Sequence, residues 1–224
     1  EKQYYLELYK FGCVARSNTP PISLQAIWTA DNGNLPPWKG DLHHDLNTQL
    51  SYWPGYVSNH LDLTASYTNW LWKVRNENKK WTKQYFGVDG LNVPGVTTIS
   101  GKAMGGWIQY SMSPTTVAWL AQHFYWQWIY SMDKKFLDDR LQPYFEDVRT
   151  YFDNICSSDT NWIRSLPADY NIADGWPIHL PLSSALNSMT TAFMPGMISS
   201  RIMILLYYSI FIRIITVKVM LPLV

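Results

Sequence analysis

This chain predicts an all-α fold, a toroid or bundle of paired helices joined by long ordered loops. Three observations carry that expectation. Apolar residues recur at three- and four-residue spacing in separate stretches, no run of alternating strands lies between them, and Gly, Pro and Asn-Gly punctuation gathers in the long connecting segments.

The first helix is expected over residues 3–16, where Tyr5, Leu8, Tyr9, Gly12 and Cys13 repeat on one face ahead of Pro20-Pro21. Its expected job is packing. Residues 22–56 lose that periodicity and read as a long ordered loop, with a short helix around Leu46 to Trp53 ended by Pro54-Gly55. Leu61, Ala65, Trp70, Leu71 and Val74 then mark a helix from about Asn59 to Phe86, with a basic, solvated end at Lys79, Lys80 and Lys83.

Gly87 to Ser113, rich in Gly, Val and Thr, reads as a connecting loop with strand-like pieces. After Pro114, Trp119, Leu120, His123, Phe124, Trp126 and Gln127 describe a helix too aromatic all round for a surface position. Asp133 caps a further helix from Lys134 to about Ile155, with Leu137, Leu141, Tyr144, Val148 and Tyr151 on one face and Pro143 placed to kink or split it.

At 224 residues and 47% hydrophobic content the chain can fill a sizeable core. A net charge of +1, from 18 basic and 17 acidic residues, offers no concentrated basic face, which excludes nucleic acid as a partner. Cys13 and Cys156 stand far apart without metal spacing and are expected as two buried thiols. The opening Glu1-Lys-Gln-Tyr-Tyr starts inside a helical pattern without a signal peptide, so the sequence reads as cut from something longer.

Chemistry concentrates between Trp38 and Pro54 (W-K-G-D-L-H-H-D-L-N-T-Q-L-S-Y-W-P), where carboxylate, imidazole, amide and indole crowd together. Hydroxyl-rich ligands need such bidentate donors and acceptors, together with flat indole faces against the apolar C–H side of a ring. The stretch therefore reads as the floor of a sugar pocket, with Trp38, Trp53 and the later Trp107 as stacking candidates and Asn47 and Gln49 to orient hydroxyls. Asp41 and Asp45 are its carboxylates, and Asp45 is preferred for catalysis. His43 and His44 are either substrate-binding or a solvated, capping pair. A metal site is not expected from His43, His44 and Asp45, because consecutive side chains diverge; no cofactor is expected either.

The segments Leu24-Gln-Ala-Ile-Trp28, Pro36-Pro37-Trp38 and Asp45-Leu-Asn47-Thr-Gln49-Leu-Ser-Tyr52-Trp53-Pro54 resemble the catalytic domain of glycoside hydrolase family 95. The family pattern there is close to L-Q-G-I-W, P-P-W and N-x-N-x-Q-x-N-Y-W-P. Ala118-Trp119-Leu120 with His123, and Lys135-Phe136-Leu137, are similar to its A-W-L-x-x-H and D-x-x-F-L helices.

The resemblance covers roughly residues 3–184 and implies a partial (α/α)6 barrel acting on α-L-fucosides, or on related α-L-galactosides, with inversion. It also implies a glycan as partner, and a secreted or periplasmic place for a full-length member. In inversion one carboxylic acid protonates the leaving oxygen and a base activates water across the ring, the carboxyls standing about 6.5–9.5 Å apart. The family's paired asparagines, which orient that water, fall on Asp45 and Asn47. Where the family has its first asparagine this chain has Asp45, a base in its own right or an acceptor for a sugar hydroxyl. The resemblance puts His43 where the sugar's C5 substituent is read, and a histidine there fits fucose better than L-galactose.

After Leu180-Pro-Leu-Ser-Ser184 the family continues P-E-N and uses that glutamate as general acid; here the pattern stops. Residues 185–224 form an apolar tail whose charges are Arg201, Arg213 and Lys218. A one-nucleotide shift at Ala185 permits S-P-E in the alternative frame, so an in-frame catalytic part over 1–184 and an out-of-frame tail over 185–224 are expected. Membrane insertion of the tail is not expected, because Arg213 and Lys218 interrupt it and the run from Ile202 to Ile212 is far short of the ~18–20 residues a span needs. Without the acid the chain is expected to be inactive. The reading from another class is a carbohydrate-binding protein using the same groups without hydrolysis.

Overall fold

The structure, a computed structural model, describes residues 1–26, 34, 37–105 and 111–155, with two short strands beyond. Residues 1–155 form one compact unit and 156–224 a second. In the first, chain order is α1 (Lys2–Val14), a 3-10 turn (Pro37–Gly40), β1 (Leu42–His43), α2 (Asn47–Val57), α3 (Leu61–Phe86), β2 (Val96–Thr97), α4 (Thr116–Ser131), α5 (Lys134–Phe136), a π-helical stretch (Leu137–Leu141) and α6 (Gln142–Ile155). In the second, β3 (Ser157–Ser158) pairs antiparallel with β4 (Arg164–Ser165). Trp107, Cys156 and the 185–224 tail with its reading frame lie outside the described residues. No helix among the described residues is long and apolar enough to cross a membrane.

The fold is all-α, as the periodicity predicts. The central α3 runs 26 residues, about 39 Å. It buries Tyr67, Trp70, Leu71 and Val74 and packs on α2 and α4. Gly87 ends it in the left-handed region at φ 71°, where a residue without Cβ carries no steric cost, and the Gly87 N–H closes onto the Lys83 carbonyl at 3.1 Å. The aromatic α4 lies inside as expected, with Leu120 and Phe124 fully buried and Phe124 stacked on Tyr144 of α6 at 4.0 Å between centroids.

Asp133 caps α5 through its carboxylate, which accepts from the backbone N–H of Lys135 at 2.8 Å and of Phe136 at 3.2 Å. Pro143 has its expected effect one turn early. With no N–H to offer the carbonyl four residues back, it follows directly on the wider π-helical turn at Leu137–Leu141 and stands second in α6.

Several expectations are corrected. Pro54 does not end α2, which continues to Val57, although the Leu50 carbonyl four residues back receives no N–H from it. No residue of α1 is buried, and Tyr4, Tyr5, Leu6 and Tyr9 face outward. Cys13, on the same helix, is an exposed thiol. Lys79 is more than a solvated charge, since its ammonium bonds Asp147 of α6 at 2.8 Å beside the Arg75 guanidinium, which holds the other carboxylate oxygen.

Candidate active site

The residues from Trp38 to Trp53 are placed by two fixed points, the antiparallel pairing of β1 with β2 and the seat of α2 against α3 and α4. Leu42 pairs with Thr97 and His43 with Val96, and the His44 N–H continues the ladder to the Gly95 carbonyl at 2.7 Å. Successive side chains of an extended chain point to opposite faces, so this pairing turns Leu42 and His44 inward and leaves His43 half-buried at the edge.

At that edge His43 Nε2 stands 2.8 Å from Asp41 Oδ1, with side-chain exposures of 16% and 9%. The two atoms stand within hydrogen-bond distance but without the alignment of a formed hydrogen bond. The indole of Trp38 meets the His43 ring edge-on at 6.0 Å and is 59% exposed, presenting a flat apolar face beside polar groups.

Asp45 follows, half-buried, with Oδ1 enclosed and without a hydrogen-bond partner. Burial pushes its carboxyl above the usual aspartate range, against the opposing pull of His43 and of the backbone N–H groups of Leu46 and Asp45 itself. A carboxyl so placed is a stronger base than a solvated one. Asn47 opens α2 and is exposed.

The inner face is a satisfied polar network. His44 is fully buried, its Nδ1 2.8 Å from the Tyr67 hydroxyl and its Nε2 2.8 Å from Thr97 Oγ1, and its ring stacks on Tyr67 and Trp70. Burial, and after it the charge of His43, pulls this imidazole down to about 3. With no surface exposed and both ring nitrogens engaged, His44 holds the site from within. Gln49, also fully buried, donates from Nε2 to the His44 carbonyl at 2.7 Å. Its Oε1 meets His123 Nε2 at 3.2 Å, and His123 Nδ1 lies 2.9 Å from the Tyr56 hydroxyl.

The structure thus brings Asp41, His43, Asp45 and Trp38 to one half-exposed edge, with Asn47 beside it, and places His44 and Gln49 behind. Trp53 joins a cluster with Trp119 and Trp126 of α4, at 6.5 and 5.9 Å, and its Nε1 is enclosed without a partner. His123, Tyr56 and Tyr67 were not among the candidates named from sequence. His123 had a signal in the A-W-L-x-x-H helix, whereas the tyrosines had none, since a buried phenol and a packing one look alike in sequence.

Comparison with known proteins points to one family. The model of the glycosyl hydrolase family 95 catalytic domain matches residues 5–169. A curated Arabidopsis thaliana protein named "Alpha-L-fucosidase 2" is 27% identical over 139 residues, 61% of this chain and 16% of its own length. One from Aspergillus niger named "Probable alpha-fucosidase A" is 24% identical over 188 residues, 79% of this chain and 21% of its own. The chain thus spans about a fifth or less of the length of these relatives.

Proposed function

The chain belongs to glycosyl hydrolase family 95, whose catalytic domain is an (α/α)6 barrel, and on that premise we propose that it carries one side of an α-L-fucoside-cleaving, inverting site. Asp45 and Asn47 are the water-orienting pair, with Asp45 taking the proton as water attacks the anomeric carbon. His43 reads the C5 substituent, and Trp38 supplies the apolar platform. The carboxyl that would protonate the leaving oxygen from the opposite side has no counterpart in the chain as written, where the family pattern stops at Ser184, so the chain alone binds sugar without turning it over.

The observation that carries this reading is the half-buried Asp45 carboxyl, of raised proton affinity and with one oxygen unpartnered, beside His43 at the half-exposed edge. Titration of the full chain with L-fucose tests it. Saturable binding is expected, weakened about tenfold or more by Asp45→Ala, as loss of a hydrogen bond to a charged group implies. Absence of binding, or binding indifferent to Asp45→Ala, overturns the reading. Hydrolysis of an aryl α-L-fucoside by the chain, abolished by Asp45→Ala, would overturn the claim of inactivity alone.

A further inference from the structure

We propose that His123 and Gln49 are positioning residues for this edge: from behind, they hold the main chain at His44 and so set where His43 and Asp45 stand. The proposal rests on reading the edge as a sugar site. Its basis is a directional sequence of buried hydrogen bonds. Gln49 Nε2 gives a hydrogen to the His44 carbonyl, which fixes the amide's orientation and makes Oε1 an acceptor toward His123. The His123 Nε2 must then carry the hydrogen. A neutral ring protonated at Nε2 has a bare Nδ1, and the Tyr56 hydroxyl 2.9 Å away donates to it.

Each member of the sequence, from His44 through Gln49 and His123 to Tyr56, is buried to 1% exposure or less, so water cannot replace a lost partner. Burial first, with the neighbouring His44 imidazole adding to it, brings the His123 imidazole down to about 3, so the ring is neutral at neutral pH. On its other side the His44 N–H is held by the Gly95 carbonyl. The peptide groups flanking His44 are therefore clamped at both N–H and C=O, and the residues before and after it take their direction from that clamp.

Long-range proton–nitrogen NMR of the imidazoles in the full 224-residue chain tests this. At neutral pH His123 is expected neutral with hydrogen on Nε2. His123→Gln, whose amide can still donate to Gln49, is expected to leave the backbone amide resonances of His43 and Asp45 in place and L-fucose affinity within about twofold. His123→Leu, which cannot donate, is expected to move both resonances and weaken L-fucose by about tenfold. A ring protonated at Nδ1, or charged at neutral pH, overturns the proposal whether or not His123→Leu folds. So does a folded His123→Leu chain with both resonances unmoved. If the unmutated chain does not bind L-fucose, the fucoside reading falls, and the positioning role is still decided by the tautomer and the resonances.

Discussion

Gly55 of α2 lies so close to Thr64 of α3 that a Cβ on the glycine would come within 2.5 Å of Thr64 Cγ2 and 2.9 Å of the Phe11 ring. Thr64 in turn donates from Oγ1 to Gln127 Oε1 of α4 at 2.7 Å, so this contact registers three helices at once. Gly55→Ala is therefore expected to destabilise the chain by about 1–3 kcal/mol through overpacking. Urea unfolding reads this as a lower midpoint at unchanged slope, and a neutral substitution would mean that α2 can move away without consequence.

Acid should unfold the chain through its two buried imidazoles. In the unfolded chain His44 and His123 take up protons near 6.5, and in the folded chain only near 3. Between those values the unfolded state binds more protons, so stability falls as pH falls, by about 1.4 kcal/mol per pH unit for each histidine. By the time the rings protonate in place the two together remove about 10 kcal/mol, which exceeds the lower part of the typical range of about 5–15 kcal/mol for a domain. His123→Gln should remove roughly half of the slope in ΔG against pH below 6.5, and an unchanged slope would exclude His123 as a contributor.

Asp45 should act in the opposite sense. Its carboxyl is raised in the folded chain, so the fold is relatively favoured while the group is protonated and loses that advantage as pH rises through the raised value. Asp45→Asn, which installs the family's own residue and keeps the shape, should raise Tm at pH 7, with the gain shrinking at pH 4. A gain that grows in acid would contradict the burial argument.

Asp147 should behave as a junction between α3 and α6. Its carboxylate is 15% exposed and takes both Arg75 and Lys79, and Arg75 lies over the Trp72 ring at 4.5 Å with Arg140 over the same ring at 4.7 Å. Asp147→Ala leaves two cations crowded without their acceptor and is expected to cost about 1.5–3 kcal/mol in urea unfolding. A change below about 0.5 kcal/mol would place the junction with ordinary surface pairs.

Much of this arrangement was legible in the sequence. The 3.6-residue period located α3, α4 and α6, and Asp133 marked its own cap, because these are local features. The pairing of His43 with Val96 was not legible, since it joins two-residue strands far apart in the chain and so short a piece has no period. Without that pairing the two adjacent histidines look alike; with it, His43 stays at the edge and His44 goes into the core. Pro54 misled because local propensity says stop, while the packing of Gly55 on Thr64 holds the helix for one more turn. Residue type and motif both single out Asp45 and Asn47, and only burial separates the half-enclosed acid from the exposed amide.

The π-helical stretch makes the chain from Leu137 to Leu141 one residue longer than an α-helix closing the same turn would need. Deleting one residue there would close the turn as regular α-helix and leave Tyr144 facing Phe124 and Asp147 facing Arg75 and Lys79. Pro143 would then stand inside an unbroken α-helix, where its ring meets the carbonyl four residues back at a cost of about 3 kcal/mol. A single-residue deletion there should therefore destabilise through Pro143 and not through the register of α6, and Pro143→Ala should relieve it.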